Sequence, residues 1–199
     1  MSIKINKNDV GYVMRICLVL LAITMCVAFL LSFVNAVTKD VIAKNEEAKI
    51  SEALKALFDQ ATAPEADDVS GEFGETVNGF YTVKDGDVLI GYYANVSPVG
   101  FKGEVGMMVG LDLDGKVIGI EILTCDETIG IGTQIKEDWF LDTFKGREDS
   151  LEYKKGAGAD EEGVIDGISG ATYSAKAVIA GVDAAFDAYK TATGGVSNG

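Results

Sequence analysis

The stretch Asp166-Gly167-Ile168-Ser169-Gly170-Ala171-Thr172-Tyr173-Ser174 gathers two glycines and three aliphatic hydroxyl side chains just before an alanine-rich, helix-prone segment. Gly167 and Gly170 permit tight backbone geometry and the close approach of a ligand, which a bulky residue would block. Ser169, Thr172 and Ser174 supply hydroxyls, and the start of a helix leaves N–H groups without intrahelical partners. Such groups, at the positive end of a helix dipole, suit a phosphate. The same residues also read as a glycine-rich turn closed by a Ser or Thr helix cap.

Several other chemistries are excluded by composition. The chain of 199 residues has no histidine, so Ser-His-Asp and Cys-His machinery and His-containing zinc sites are absent. Of its three cysteines, Cys17 and Cys26 lie in an apolar run, which leaves Cys125 with no disulfide partner in the remainder. Cys125 is expected to be a small buried hydrophobe, redox chemistry being the alternative. No metal site is expected. The formal charge is −14; only Lys4, Lys7, Arg15 and Asp9 precede residue 38, so the remaining 14 bases and 30 acids put residues 38–199 at −16. Nucleic acid is excluded as a partner, because its phosphates would be repelled. The acidity reads as a solvated surface, or as a docking surface for a basic partner.

The elements that must position the glycine-rich run follow from hydropathy and turn signals. Residues 16–34 form nineteen positions without a charged side chain, close to the roughly 20 that a helix needs to cross a hydrocarbon core. A signal peptide is the rival reading, but the run exceeds a usual signal core and Val34-Asn35-Ala36 is a poor cleavage site. Lys4, Lys7 and Arg15 place residues 1–15 in the cytoplasm, residues 16–37 as an uncleaved transmembrane helix, and the rest on the non-cytoplasmic side. Residues 38–75 read as a stalk helix and linker: Ile50, Leu54, Leu57 and Phe58 share one helical face to about residue 61, and 65–75 is an acidic loop.

Residues 76–190 read as one domain and 191–199 as a flexible tail. Two β-rich pairs, 80–83 with 88–93 and 105–113 with 116–123, flank Asp85-Gly86 and Asp114-Gly115, which are strong hairpin signals. The imperfect alternation over 117–122 points to one strand buried on both faces. A short amphipathic helix is expected at 135–144, with Trp139 in the core or, alternatively, against an aromatic ligand. A surface loop follows over 147–162, and a final helix from about 173 to 189 buries Val178, Val182, Ala185, Phe186 and Tyr189. The expected class is α+β: a single N-terminal transmembrane helix, then antiparallel β-hairpins packed against helices.

The glycine-rich run resembles the D-G-x-S-G-A-[ST] signature of FMN-binding domains, in which the last Ser or Thr carries FMN through a phosphoester bond. The chain as a whole resembles the G subunits of Rnf-type ion-translocating ferredoxin:NAD oxidoreductases, with the C subunit of the Na+-translocating NADH:quinone oxidoreductase as a more distant relative. The resemblance implies Thr172 as the covalent attachment point, with Asp166, Gly167, Ser169, Gly170 and Ala171 as the surrounding signature and Ile168 at its variable position. Glu127-Thr128-Ile129-Gly130-Ile131-Gly132 resembles the family's E-T-P-G-L-G loop, with Ile129 and Ile131 replacing proline and leucine. Glu127, Thr128, Gly130 and Gly132 are thereby implied to line the flavin. Gly100-Phe101-Lys102-Gly103 is similar to the G-[FY]-x-G element, which adds Gly100 and Phe101.

A flavin performs its own redox chemistry, and the protein holds, orients and tunes it. The resemblance therefore implies an electron-carrier subunit with covalent FMN and no catalytic side chain beyond the flavin. It also implies partners: the other subunits of a membrane redox complex, and a flavin transferase that moves FMN from FAD to Thr172. The chain has neither a Rossmann fingerprint for NAD nor a cysteine cluster for iron–sulfur centres, so those roles fall to partners. A stand-alone membrane-anchored flavoprotein and a flavin-free assembly module are the alternatives.

Overall fold

The structure, a computed structural model, describes residues 7–154, 156 and 163–194. They fall into two units, one ending at Ala48 and the other beginning at Lys49. The first unit consists of most of helix α1 (Lys7–Leu57), whose apolar side chains from Tyr12 to Ile42 are exposed. It is the one helix among the described residues that is long and apolar enough to cross a membrane.

The second unit is an α+β domain. Its frame is a five-stranded antiparallel meander of β1 (Pro64–Asp68), β2 (Val77–Asp85), β3 (Val88–Val96), β4 (Val105–Leu111) and β5 (Val117–Cys125), ordered as in the chain. Both Asp-Gly turns are present, with Gly86 at φ +64° and Gly115 at φ +85°, a region that glycine enters without a Cβ penalty. Strand β1 lies where an acidic loop was expected. It pairs with β2 from Pro64↔Asp85 to Asp68↔Tyr81 as a sheet edge. Its polar side chains face water, Asp67 meeting Lys84 at 2.7 Å, so no hydrophobic alternation announced it.

The strand covered on both faces is β4 rather than the 117–122 segment. Every residue of β4 is buried, whereas β5 is an edge with a mixed pattern. Alternate side chains of β4 serve two cores. Val105, Met107, Val109 and Leu111 meet helix α3 (Thr172–Ala192) through Val178, Val182, Ala185 and Phe186. Met108 points the other way, to Leu54 and Phe58 with Val83 and Tyr93. Burying such side chains contributes about 1.5–3 kcal/mol each, which holds α3 firmly on the sheet.

The helix expected at 135–144 is three short pieces: a 3-10 turn at Gly132–Lys136, α2 (Asp138–Leu141) and a 3-10 turn at Asp142–Phe144. The change of helical pitch puts Ile135, Phe140 and Phe144 inside and leaves Trp139 55% exposed, correcting its expected core role. The expected loop at 147–162 contains β6 (Glu152–Lys154), which pairs in parallel with β7 (Val164–Asp166) from Glu152↔Val164 to Lys154↔Asp166. Residues 155 and 157–162 of that loop lie outside the described residues, as do 1–6 and residues 195–199 of the expected tail. Helix α3 extends past its expected end to Ala192.

Candidate functional site

Strand β7 delivers the glycine-rich run to the start of α3. Asp166 ends β7, Gly170 takes φ +83°, and Ala171 caps the helix without any side-chain cap hydrogen bond. The Ser or Thr cap that the sequence permitted is therefore not formed. The first helical backbone bond in this turn runs from Ala175 N–H to the Ala171 carbonyl at 2.9 Å. The amides of Thr172, Tyr173 and Ser174 thus occupy the positions whose N–H groups have no partner within a helix.

The half-buried Thr172 brings its Oγ1 within 3.2 Å of the Tyr153 hydroxyl, on β6. The space that a Cβ on Gly167 would need is filled by the Tyr153 ring. Lys176, one turn beyond Thr172, holds its ammonium 5.2 Å from the centre of the same ring. Asp183, further along α3, fixes the approach to β6 by accepting the Leu151 N–H at 2.9 Å. Burial raises the Asp183 carboxyl above the ordinary carboxylate range, although the Leu151 N–H pulls the other way.

A second construction stands beside the helix start. Glu127, following β5, is 5% exposed. Its Oε1 accepts the N–H of Phe101 at 2.6 Å and of Lys102 at 3.3 Å, and its Oε2 accepts the Ser174 hydroxyl at 2.9 Å. One carboxylate thereby ties the 100–103 turn, the 127–132 loop and α3 together. The fit depends on glycines that give way to it. A Cβ on Gly100 would collide with Glu127 Oε1, and one on Gly132 would lie 2.8 Å from Glu127 Cβ and 3.0 Å from Ser174 Oγ. The 100–103 turn closes with Gly100 N–H donating to the Gly103 carbonyl at 2.7 Å.

The outer rim is apolar and exposed. Phe101 and Tyr173 bring their ring centres to 6.1 Å, Ile129 is 90% exposed, and Ile131 lies beside Gly170. Gly130, at φ +78°, has open space where a Cβ would be. Its N–H donates to the Thr133 hydroxyl at 2.9 Å, and its carbonyl accepts from the Gln134 side chain at 2.8 Å. This arrangement fits FMN at both of its ends. Amides and a hydroxyl at a helix start suit a phosphate, and exposed apolar side chains with an open glycine suit a flat ring system.

The structure therefore gathers Thr172, Gly167, Gly170 and Ala171 with Glu127, Gly132, Gly100 and Phe101 in one region, and sets Gly130 at its rim. Three predicted residues stand apart from these contacts. Asp166 is exposed and accepts the Gly156 N–H at 2.8 Å, Ser169 is exposed, and Thr128 uses its carbonyl to receive Ile131 and Thr133 N–H groups at 3.2 Å. Sequence reasoning missed Tyr153 and Lys176, and it did not foresee the bond between Ser174 and Glu127. The only local signal was the four-residue spacing of Thr172 and Lys176 on one helix face. Cys125 is half-buried against the main core, and no cluster of potential metal ligands occurs among the described residues. A surface groove of about 610 Å³, lined by Phe58, Leu89, Ile90 and Leu113 among others, shares no residue with this site.

Residues 100–187 match the FMN-binding domain family, a span running from the Gly100 turn through most of α3. The G subunit of the Na(+)-translocating ferredoxin:NAD(+) oxidoreductase complex of Acetobacterium woodii is 29% identical over 195 residues, which cover 92% of this chain and 94% of that protein. The G subunit of the proton-translocating ferredoxin:NAD(+) oxidoreductase complex of Clostridium ljungdahlii is 33% identical over 123 residues, covering 60% of this chain and 65% of that one. In fold, the chain is similar to Shewanella oneidensis NqrC, with a TM-score of 0.54 at 14% identity over 71% of this chain and 91% of that one. The C subunit of the Na(+)-translocating NADH-quinone reductase from Parabacteroides distasonis gives 0.55 at 16% identity, over 75% and 94% respectively. Residues 100–187 are thus similar to FMN-binding domains, and the curated relatives of the chain include G subunits of ion-translocating ferredoxin:NAD(+) oxidoreductase complexes.

Proposed function

We propose that this protein is the FMN-carrying redox subunit of a membrane-bound, ion-translocating ferredoxin:NAD+ oxidoreductase, with FMN esterified to Thr172. The observation that carries the reading is the placement of Thr172 in a half-buried helix start without a side-chain cap, beside an exposed apolar rim. Bound FMN would supply reversible electron transfer. The chain's own residues hold it: Thr172 Oγ1 would form the ester, and the amides of Tyr173 and Ser174 would face the phosphate. Favourable alignment with the helix dipole would add about 0.3–1 kcal/mol for a single negative charge. Phe101, Ile129, Ile131 and Tyr173 would flank the ring system, with Gly130 admitting it closely. Glu127 acts at one remove by fixing the two loops that carry these side chains.

Ferredoxin oxidation, NAD+ reduction and ion movement fall to partner subunits, and attachment of FMN to a separate flavin transferase. The helix from Lys7 onwards would anchor the protein in a single pass, with the domain on the non-cytoplasmic side. Purification from the native membrane tests the assignment: the protein should co-purify with multi-span subunits and carry the mass of one FMN less one water. Isolation alone, still bearing flavin, would point to a stand-alone carrier; a flavin-free protein within a complex would point to an assembly module. Topology is checked with a membrane-impermeant thiol reagent and Ser70→Cys in a background lacking the native cysteines. Labelling of intact cells is expected, and labelling only after lysis would place the domain inside.

A further inference from the structure

We propose that Tyr153 is a positioning residue for the Thr172 hydroxyl, acting with Lys176 to prepare that oxygen for the phosphoester and to hold the phosphate once formed. The inference rests on the reading of Thr172 as the attachment point. Its basis is a stack of three contacts converging on one phenol. The hydroxyl of Tyr153 lies 3.2 Å from Thr172 Oγ1, its ring occupies the space a Cβ on Gly167 would take, and the Lys176 ammonium sits 5.2 Å from its ring centre. Strand pairing fixes the base of the side chain, Tyr153 lying opposite Ile165 and the Lys154 carbonyl accepting the Gly167 N–H at 3.2 Å. Gly167 thus makes room for a protein side chain rather than for a ligand. A Tyr side chain has few rotatable bonds, so a ring held on two sides presents its hydroxyl with little freedom left to lose.

In the attachment step, Thr172 Oγ1 forms a bond to the flavin-side phosphorus of FAD. The bond between that phosphorus and the bridging oxygen breaks, AMP leaves with the oxygen, and the threonine proton passes to solvent or to the transferase. Before the step, the Tyr153 hydroxyl limits the rotation of the Thr172 side chain. Afterwards Oγ1 has lost its proton, so the phenol O–H becomes a donor towards the ester, and the Lys176 ammonium opposes its negative charge. Tyr153 is 19 residues before Thr172, outside the glycine-rich run, so no local motif connects the two.

The test uses the full chain produced without transferase, then incubated with purified flavin transferase and FAD. Flavin incorporation is followed by in-gel fluorescence and confirmed by peptide mapping. Tyr153→Phe retains the ring on Gly167 and removes only the hydroxyl. It is expected to lower the limiting rate about tenfold, the worth of one hydrogen bond, while the KM for the acceptor protein stays within about twofold. The loaded variant should also show a displaced 31P resonance, a signature that a purely packing role would not produce. Gly167→Ala, which pushes the ring away but leaves the phenol, should slow incorporation in the same direction. Wild-type rate and unchanged 31P shift in Tyr153→Phe, with flavin on Thr172, would overturn the role of Tyr153 and leave the proposed function standing. Absence of flavin from Thr172 in the wild-type protein would overturn both.

Discussion

The Glu127 clasp and the rim around Gly130 lie a few residues apart in one loop, yet they are built on opposite rules. In the clasp, the spaces beside Gly100 and Gly132 are filled by Glu127 and Ser174, and the carboxylate is nearly removed from solvent. At the rim, the space beside Gly130 is open, and Ile129 and Phe101 face outward. A buried acid with three hydrogen bonds costs stability when disturbed, because each donor left behind is unpaired. An exposed apolar side chain contributes little to folding and is available to a ligand or partner. The contrast separates the residues that make the site rigid from those that would touch what it binds.

The largest expected effect lies in the clasp. Glu127→Ala strands the Phe101 and Lys102 amides and the Ser174 hydroxyl, so it should destabilise the domain by about 3 kcal/mol and lower its Tm by roughly 10 °C. Thermal unfolding of the flavin-free protein checks this, and a Tm within about 2 °C of wild type would mean the clasp is not a structural device. Gly130→Val should do less to stability and more to the flavin. A β-branched side chain at φ +78° costs about 1–3 kcal/mol but meets nothing in the surrounding space. The loaded variant should therefore stay folded while its flavin absorption spectrum and midpoint potential shift. An unchanged spectrum and potential would reduce the rim loop to a structural turn and erase the contrast.

How far the sequence reached depended on whether the cause of a feature was local. The Asp-Gly hairpins and α3 were legible because turn chemistry and helical periodicity are written in consecutive residues. Strand β1 was not, since an acidic edge strand owes its form to pairing with β2 rather than to its own side chains. Burial on both faces falls on β4 rather than on 117–122, because it depends on which helices arrive above and below. α-Helical periodicity puts Trp139 inside, whereas the 3-10 turns flanking α2 leave it exposed and bury Phe140 and Phe144. At the site, the glycine-rich run is legible in its residue types, and the attachment role of Thr172 and the 127–132 loop only through resemblance. Their meeting at Glu127 and Ser174, 47 residues apart, and the reach of Tyr153 to Thr172 are products of tertiary structure.

Peptide mapping by mass spectrometry decides whether Thr172 carries the flavin. The full chain is co-expressed with the flavin transferase in a host that exports the domain, as wild type, Thr172→Ser, Thr172→Val and Ser174→Ala. FMN is expected on the peptide containing residue 172 in the wild type, and at least in part in Thr172→Ser, which keeps the hydroxyl. Ser174→Ala should retain it despite losing the Glu127 contact, at a stability cost of about 1 kcal/mol. Thr172→Val should carry none. FMN still covalently attached in the Thr172→Val protein would mean that another residue carries it.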